Sequence, residues 1–129
     1  MPTKRKKPAQ LTPRSLAYLR EQGYESQVVE QFVRTNAGGF RRDLFGCIDV
    51  VAVRPGEVLG VQVCRSDDVG KRQRKATLDE SVAPKLRMWL EAGARFVLHG
   101  WDRPGTRKGQ RFWELRKEIE VTIDDLTEG

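Results

Sequence analysis

Cys47-Ile48-Asp49-Val50-Val51-Ala52-Val53, then Arg54-Pro55-Gly56-Glu57, then Val58-Leu59-Gly60-Val61-Gln62-Val63-Cys64 is the stretch that decides the fold. Two short apolar runs flank a Pro-Gly turn. Strands of this kind, apolar on both faces, fill the middle of a covered sheet. The connection is short enough for an antiparallel hairpin. Each run carries one polar exception. A lone carboxylate in apolar surroundings costs several kcal/mol unless it is paired, hydrogen-bonded or bound to a metal, so Asp49 needs a partner. Side chains alternate along a strand, so Cys47, Asp49 and Val51 share one face and Gly60, Gln62 and Cys64 share one face of its neighbour. Folding across the four-residue turn brings Asp49, Gln62 and Cys64 into one polar patch. Asp49 and Gln62 either satisfy each other or a nearby backbone group, or hold something between them.

Working outward, Thr12-Pro13 reads as a helix N-cap followed by proline at the first helical position. Leu16 and Leu19 begin an apolar stripe, and Gly23 closes the helix. Tyr24 to Val33 has strand composition, and Asn36-Ala37-Gly38-Gly39 is a turn or mobile loop. Beyond the hairpin, Leu78, Val82, Leu86 and Leu90 keep a helical spacing that Pro84 interrupts. This predicts one helix over 70–80 and another over 83–92, ended by Gly93. Arg95 to Trp101 is a third central-type strand, Asp102 to Gln110 a polar turn, and Phe112 to Leu115 a shorter strand followed by an acidic tail. The order is α, β, β, β, α, β, β. A chain of 129 residues holds one modest core. The expectation is a single α/β domain over 11–129, a central mixed sheet of four to five strands flanked by helices, preceded by a basic disordered arm over 1–10.

Charge adds a partner class. The chain carries 24 Lys and Arg against 18 Asp and Glu, a formal net charge of +6. The positive residues cluster at Lys4, Arg5, Lys6 and Lys7, and again at Arg65, Lys71, Arg72, Arg74 and Lys75, while the last stretch is acidic. Segregation of this kind suits a phosphate-binding surface, although solvated faces and tails are also often basic. No apolar run approaches the roughly 18 residues needed to span a bilayer. No apolar segment follows the basic start, so the cytoplasm is the expected compartment. Two cysteines do not make a disulfide scaffold, and Cys47 and Cys64 read as free thiols. With His99 they have the ligand types of a zinc site, but the spacings match no common zinc motif, and core packing is the better reading. Trp89, Trp101 and Trp113 suit core or rim positions, with base stacking as the alternative.

An α-β-β-β-α-β order, with an Asp on the second strand and a polar triplet on the third, resembles the PD-(D/E)XK nuclease superfamily from about Leu11 to Leu115. The signature of that family is an Asp, a variable gap, then Glu or Asp, any residue, and Lys. Asp49 matches the Asp, and Gln62-Val63-Cys64 takes the place of the triplet. Gln in the first triplet position resembles the variant of Mrr-type restriction endonucleases, and Cys64 departs from the family's Lys. Chain length and basic surface also resemble the Holliday-junction resolvase branch. The resemblance implies metal-assisted hydrolysis of a phosphodiester in DNA, with Mg²⁺ or Mn²⁺ held by Asp49, Gln62 and the Val63 carbonyl. Asp43, just before the Asp49 strand, either completes a carboxylate pair as a further ligand or forms a surface salt bridge with Arg41 or Arg42. Cys64 cannot supply the family's cation, so Lys71 or Lys75 would have to reach back from the next helix. Otherwise the chain keeps the fold as an inactive DNA-binding protein. A Glu from the first helix is a common family addition, and Glu21 occupies that place; Glu25 and Glu30 are further acids nearby. The expected partner is DNA, and a homodimer is compatible with the family.

Overall fold

The computed structural model describes residues 11–103 and 113–126. The basic arm, most of the polar turn after Asp102, Phe112 and the last residues lie outside this range. Along the chain run α1 (Thr12–Glu21), β1 (Glu25–Val28), β2 (Gln31–Thr35), β3 (Gly38–Arg42), β4 (Val50–Arg54), β5 (Glu57–Arg65), α2 (Val69–Leu78), α3 (Ala83–Glu91), β6 (Arg95–Asp102) and β7 (Glu114–Val121). Five strands form one sheet in the order β1-β4-β5-β6-β7, while β2 and β3 pair only with each other. Within the main sheet only the β5–β6 step is parallel. A parallel step needs a crossover, and α2 and α3 provide it.

The helices cover opposite faces of this sheet. Leu19 of α1 packs with Tyr24, Val50, Ala52, Leu59, Val61 and Val97. On the other face Val69, Ala76, Val82 and Leu86 pack with Cys47, Ile48, Cys64, Phe96, Leu98 and Val121. Both faces of β4, β5 and β6 are covered away from the exposed hairpin end at Val53 and Val58, which is why their sequences read as nearly continuous apolar runs. Burying a side chain such as Leu86 completely contributes about 1.5–3 kcal/mol.

Several expectations need correction. Leu11, not Thr12, occupies the cap of α1, and no side chain caps it, although Pro13 does lie in the first turn. The stretch Tyr24–Val33 is two strands of different sheets, because the chain leaves the main sheet after Val29 donates its N–H to the Asp49 carbonyl at 2.8 Å. The hairpin turn has two residues, Pro55 and Gly56, since Arg54 and Glu57 already pair. Leu78 is exposed, so the apolar stripe across the Pro84 break starts at Val82. What reads as a short strand and acidic tail is the eight-residue edge strand β7. Its acids suit an edge that must not pair with another chain.

The turn from β5 into α2, Ser66–Asp68, presses on β6 at Gly100. A Cβ there would fall 2.5 Å from Val69 Cγ2 and 3.0 Å from the Ser66 Cα. Gly100→Ala is accordingly expected to destabilise the protein by about 1–3 kcal/mol through overpacking. Gly70→Ala, where the nearest atom is 3.6 Å away on a flexible arginine, should leave stability unchanged or slightly raised. Urea unfolding of the two variants checks this, and equal midpoints would show that the packing around Gly100 yields freely.

Candidate metal centre

The site is built on a sharp reversal of the chain between β3 and β4. Leu44 and Ile48 pair across a tight loop, with Leu44 N–H donating to the Ile48 carbonyl at 2.9 Å. Phe45 at φ 58° and Gly46 at φ 80° make the turn. The reversal carries Asp43 back alongside Asp49. Glu30 arrives from the opposite side, directly after β1 leaves the sheet. One carboxylate oxygen from each of Glu30, Asp43 and Asp49 lies within 4.8 Å of the others.

Asp49 is not in the middle of its strand, as the apolar run suggests, but one residue before β4. Its N–H donates to the Val61 carbonyl at 2.9 Å, and its Oδ2 accepts the Val63 N–H at 2.8 Å. The residue is only 6% exposed. Burial is the main cause, and the Asp43 carboxyl the next, that pushes the Asp49 carboxyl up to about 8; Glu30 adds to the rise and the Val63 amide opposes it. A cation beside Asp49 would oppose this rise. Arg41 offers one positive group at 3.0 Å from Glu30, but its side chain is largely in solvent.

Gln62 is the other polar exception of the two apolar runs. It lies between Gly60 and Cys64 on the face covered by α2 and α3, and is 2% exposed. Its Oε1 is buried with no hydrogen-bond partner among the described residues. A buried orphan acceptor is costly and calls for a ligand or an unseen donor. Three carboxylates and an amide oxygen are hard oxygen donors, the set that suits Mg²⁺ or Mn²⁺ rather than zinc. The interaction shown for Val63 runs through its amide to Asp49 rather than through the carbonyl expected of a ligand.

Positive charge comes from α2. Arg72 is half-buried and lies near enough to Cys64 to favour its thiolate, and Lys75 does the same for Cys47. Burial outweighs both, pushing the Cys47 thiol up to about 12 and the Cys64 thiol up to about 11. Both cysteines are thus neutral core residues. Lys75 lines a recess with Asp43, Arg42 and Lys85. Lys71 and Arg74 are exposed on α2. Arg65 is exposed, with its guanidinium 5.2 Å over the Trp113 ring. Lys4, Arg5, Lys6 and Lys7 lie outside the described residues.

Other candidates are not brought together. Glu21 is exposed at the end of α1, on the opposite face of the sheet. Glu25 pairs with Val53, whereas the Asp49 end of the sheet is where Val28 meets Val50. Glu30, which nothing in the sequence sets above Glu25, is the acid that joins. The zinc arrangement fails on strand parity. His99 faces α1, where its Nδ1 lies 2.8 Å from Ser15 Oγ, while Cys47 and Cys64 face α2 and α3. Ser15, His99 and Glu118 have the residue types of a hydrolytic triad. Ser15 and His99 are both 0% exposed, however, and Ser15 Oγ accepts the Trp101 indole N–H, so no substrate reaches them.

Comparisons with protein-family profiles, with curated sequences and with solved structures find no match. No helix among the described residues is long and apolar enough to cross a membrane.

The raised Asp49 pKa has a signed consequence for metal-free protein. A carboxyl held above its ordinary 3.8 favours folding fully below that value, and the contribution is lost as pH rises through about 8. Asp49→Asn removes this titration. In chelator, its stability relative to wild type should therefore improve steadily from about pH 4 to about pH 8, and added Mn²⁺ should restore the wild type alone. Urea midpoints across that range check it; a difference that does not change with pH would mean that Asp49 does not titrate there.

Proposed function

We propose that this chain is a metal-dependent phosphodiester hydrolase acting on DNA. The observation that carries the reading is the buried Asp49, crowded by Asp43 and Glu30 beside an orphan Gln62 oxygen and below a basic helix. The order of elements supports it too. With the β2–β3 hairpin set aside as an insertion, the chain runs α1, β1, β4, β5, α2–α3, β6, as in the PD-(D/E)XK nucleases that the sequence resembles. Asp49 stands at the entry to the second strand of that series and Gln62-Val63-Cys64 lies on the third.

In this reading Asp49, Asp43 and Glu30 hold the ion, and the Gln62 Oε1 gains the partner it lacks. A divalent ion, if held by these residues, would supply Lewis-acid polarisation of a phosphoryl oxygen and a more acidic attacking water. The Val63 amide fixes the direction of the Asp49 carboxylate. Lys75, on the same recess as Asp43, offsets the charge that builds on the phosphoryl group, and it fits this role better than Lys71. Exposed Lys71 and Arg74 bind the flanking backbone. One observation favours a second reading, an inactive DNA-binding protein: the family's Lys position holds a buried neutral thiol, Cys64.

Asp49→Asn is expected to abolish Mg²⁺-dependent cleavage while DNA binding persists, and Asp43→Asn and Glu30→Gln to lower it by about tenfold or more. Wild-type protein that cleaves no duplex, single-stranded, flapped or four-way DNA with Mg²⁺ or Mn²⁺ would overturn the enzyme reading. A gain of cleavage in Cys64→Lys would then identify a degraded nuclease site.

Binding gives a separate test. Replacing Lys71, Arg72, Arg74 and Lys75 with Gln should flatten the salt dependence of DNA affinity by roughly 0.9 in logarithmic slope for each phosphate that is no longer neutralised. An unchanged slope would remove α2 from the binding surface.

A further inference from the structure

The β2–β3 hairpin springs directly from the acidic cluster: Glu30 precedes its first residue and Asp43 follows its last. Among the described residues it pairs with no other strand, and only Val33 along both strands is even half-buried. Two-stranded hairpins are marginal alone. This one also exposes two large aromatic rings, Phe32 at 60% and Phe40 at 49%.

The register sorts its side chains. Phe32 lies opposite Arg41, and Arg34 opposite Gly39, so Phe32, Arg34 and Arg41 share one face; Val33, Phe40 and Arg42 share the other. Gly39 sets the posture of Phe32. A Cβ on Gly39 would fall 2.5 Å from Phe32 Cζ, so the bare backbone is what lets the ring lie across the neighbouring strand. On the other face the Arg42 guanidinium sits 5.9 Å from the centre of the Phe40 ring. From Gln31 to Arg42 the segment holds Arg34, Arg41 and Arg42 and no acid. Flat exposed rings flanked by arginines match a polyanion that carries its own aromatic faces.

We propose that the hairpin binds an unpaired nucleic-acid strand, with a base stacked on Phe32 and phosphates on Arg34 and Arg41, and leads that strand to the acidic cluster. The second half of this statement rests on the hydrolase reading; the first does not. A duplex keeps its base faces stacked internally, so an exposed ring gains from a strand whose bases are free. A second copy of the chain fits poorly, because two such hairpins would set three arginines against three. Arg41 links the two sites. It bridges to Glu30 at 3.0 Å, so a bound phosphate and Glu30 compete for one guanidinium. A recess of about 500 Å³ at the root of the hairpin, lined by Val29, Glu30, Arg42, Asp43 and Phe45, lies beside two of the acids on the face opposite Phe32, so the route from the stacking face to the acids runs through Arg41 and Glu30.

The test uses full-length protein carrying Asp49→Asn, in chelator, so that binding is read without cleavage. The probes are a short oligothymidylate, a blunt duplex and the same duplex with a single-stranded tail. Phe32→Ala should weaken binding of the oligothymidylate and the tailed duplex by about tenfold or more, and change the blunt duplex by about twofold at most. Phe32→Trp should keep the affinity, and its added fluorescence should be quenched by the oligothymidylate. Unchanged single-strand affinity in Phe32→Ala, or an equal loss on blunt duplex, would overturn the proposal. So would a dimer in sedimentation that Phe32→Ala dissociates. A Phe32 effect in protein whose wild type cleaves nothing would leave the hairpin standing and remove the hydrolase; cleavage without a Phe32 effect would do the reverse.

Discussion

Asp49 is held from three sides, and the arrangement of the first half of the chain follows from that. Its carbonyl accepts the Val29 N–H, its N–H reaches the Val61 carbonyl, and its carboxylate takes the Val63 N–H. One residue thereby joins β1, β4 and β5 at the edge of the core. The first of these bonds is the last that β1's segment makes to the sheet, and beyond it the chain swings out into the hairpin. The same anchoring leaves the carboxylate nowhere to retreat when Asp43 and Glu30 close in. A protein selected for stability alone would replace such a group by an apolar residue of similar size, because a buried charge returns its desolvation cost only when well paired. Packing alone does not account for a carboxylate there.

The two faces of the sheet make this contrast visible. Toward α1, polar groups are mostly paired: Ser15 joins His99 and Trp101, and Tyr24, Arg54, Glu57, Arg95 and Glu120 form a chain of charge-assisted bonds. The Arg54 and Tyr24 interactions, with Arg95 adding to them, hold Glu57 down to about 2. Exposed pairs of this sort contribute little individually, but together they orient the strand ends. Burial keeps His99 below its ordinary pKa, against the pull of Glu118. Toward α2 and α3, the acids outnumber their donors and Gln62 has no partner for its oxygen. His99 Nε2, toward α1, lacks a hydrogen bond among the described residues as well, so the crowding of acids rather than an orphan atom is what distinguishes the second face.

Much of this frame can be read from the chain. Nearly continuous apolar runs mark β4, β5 and β6, and Pro84 marks the division between α2 and α3. Asp43 stands out as a companion for Asp49 because it lies just before the strand that Asp49 enters. Glu30 is not legible, since it lies inside what reads as one continuous strand, and the bend beside it is set by a tertiary bond from Val29 to Asp49. Nor is the face of His99. Val63 pairs with His99 and Cys64 with Gly100, so a register difference of one residue separates a shared site from opposite sides of the sheet. β7 is hidden because Lys117 interrupts the apolar alternation of Leu115, Ile119 and Val121 among acids.

On the proposed hydrolase reading, Cys64 raises the question of which residue would supply the cation. A lysine at that position would start inside the core, among Val69, Leu98 and Phe96, and would have to carry its ammonium out beside Asp49. Burial there would lower its pKa, and a neighbouring carboxylate would raise it again. The strand would hold its direction in return. Arg72 and Lys75 bring charge from the helix above instead, without burying an ammonium in the sheet. Arg72 acts on Cys64, whereas Lys75 opens on the recess that Asp43 lines. Of the two, only Lys75 shares an open recess with an acid of the cluster. Its long flexible stem makes it a less exact positioning device than a lysine fixed in a strand. On the proposed reading, a site that relied on Lys75 would have to gain its order from elsewhere, and the proposed strand-binding hairpin at the root of the acids would supply it.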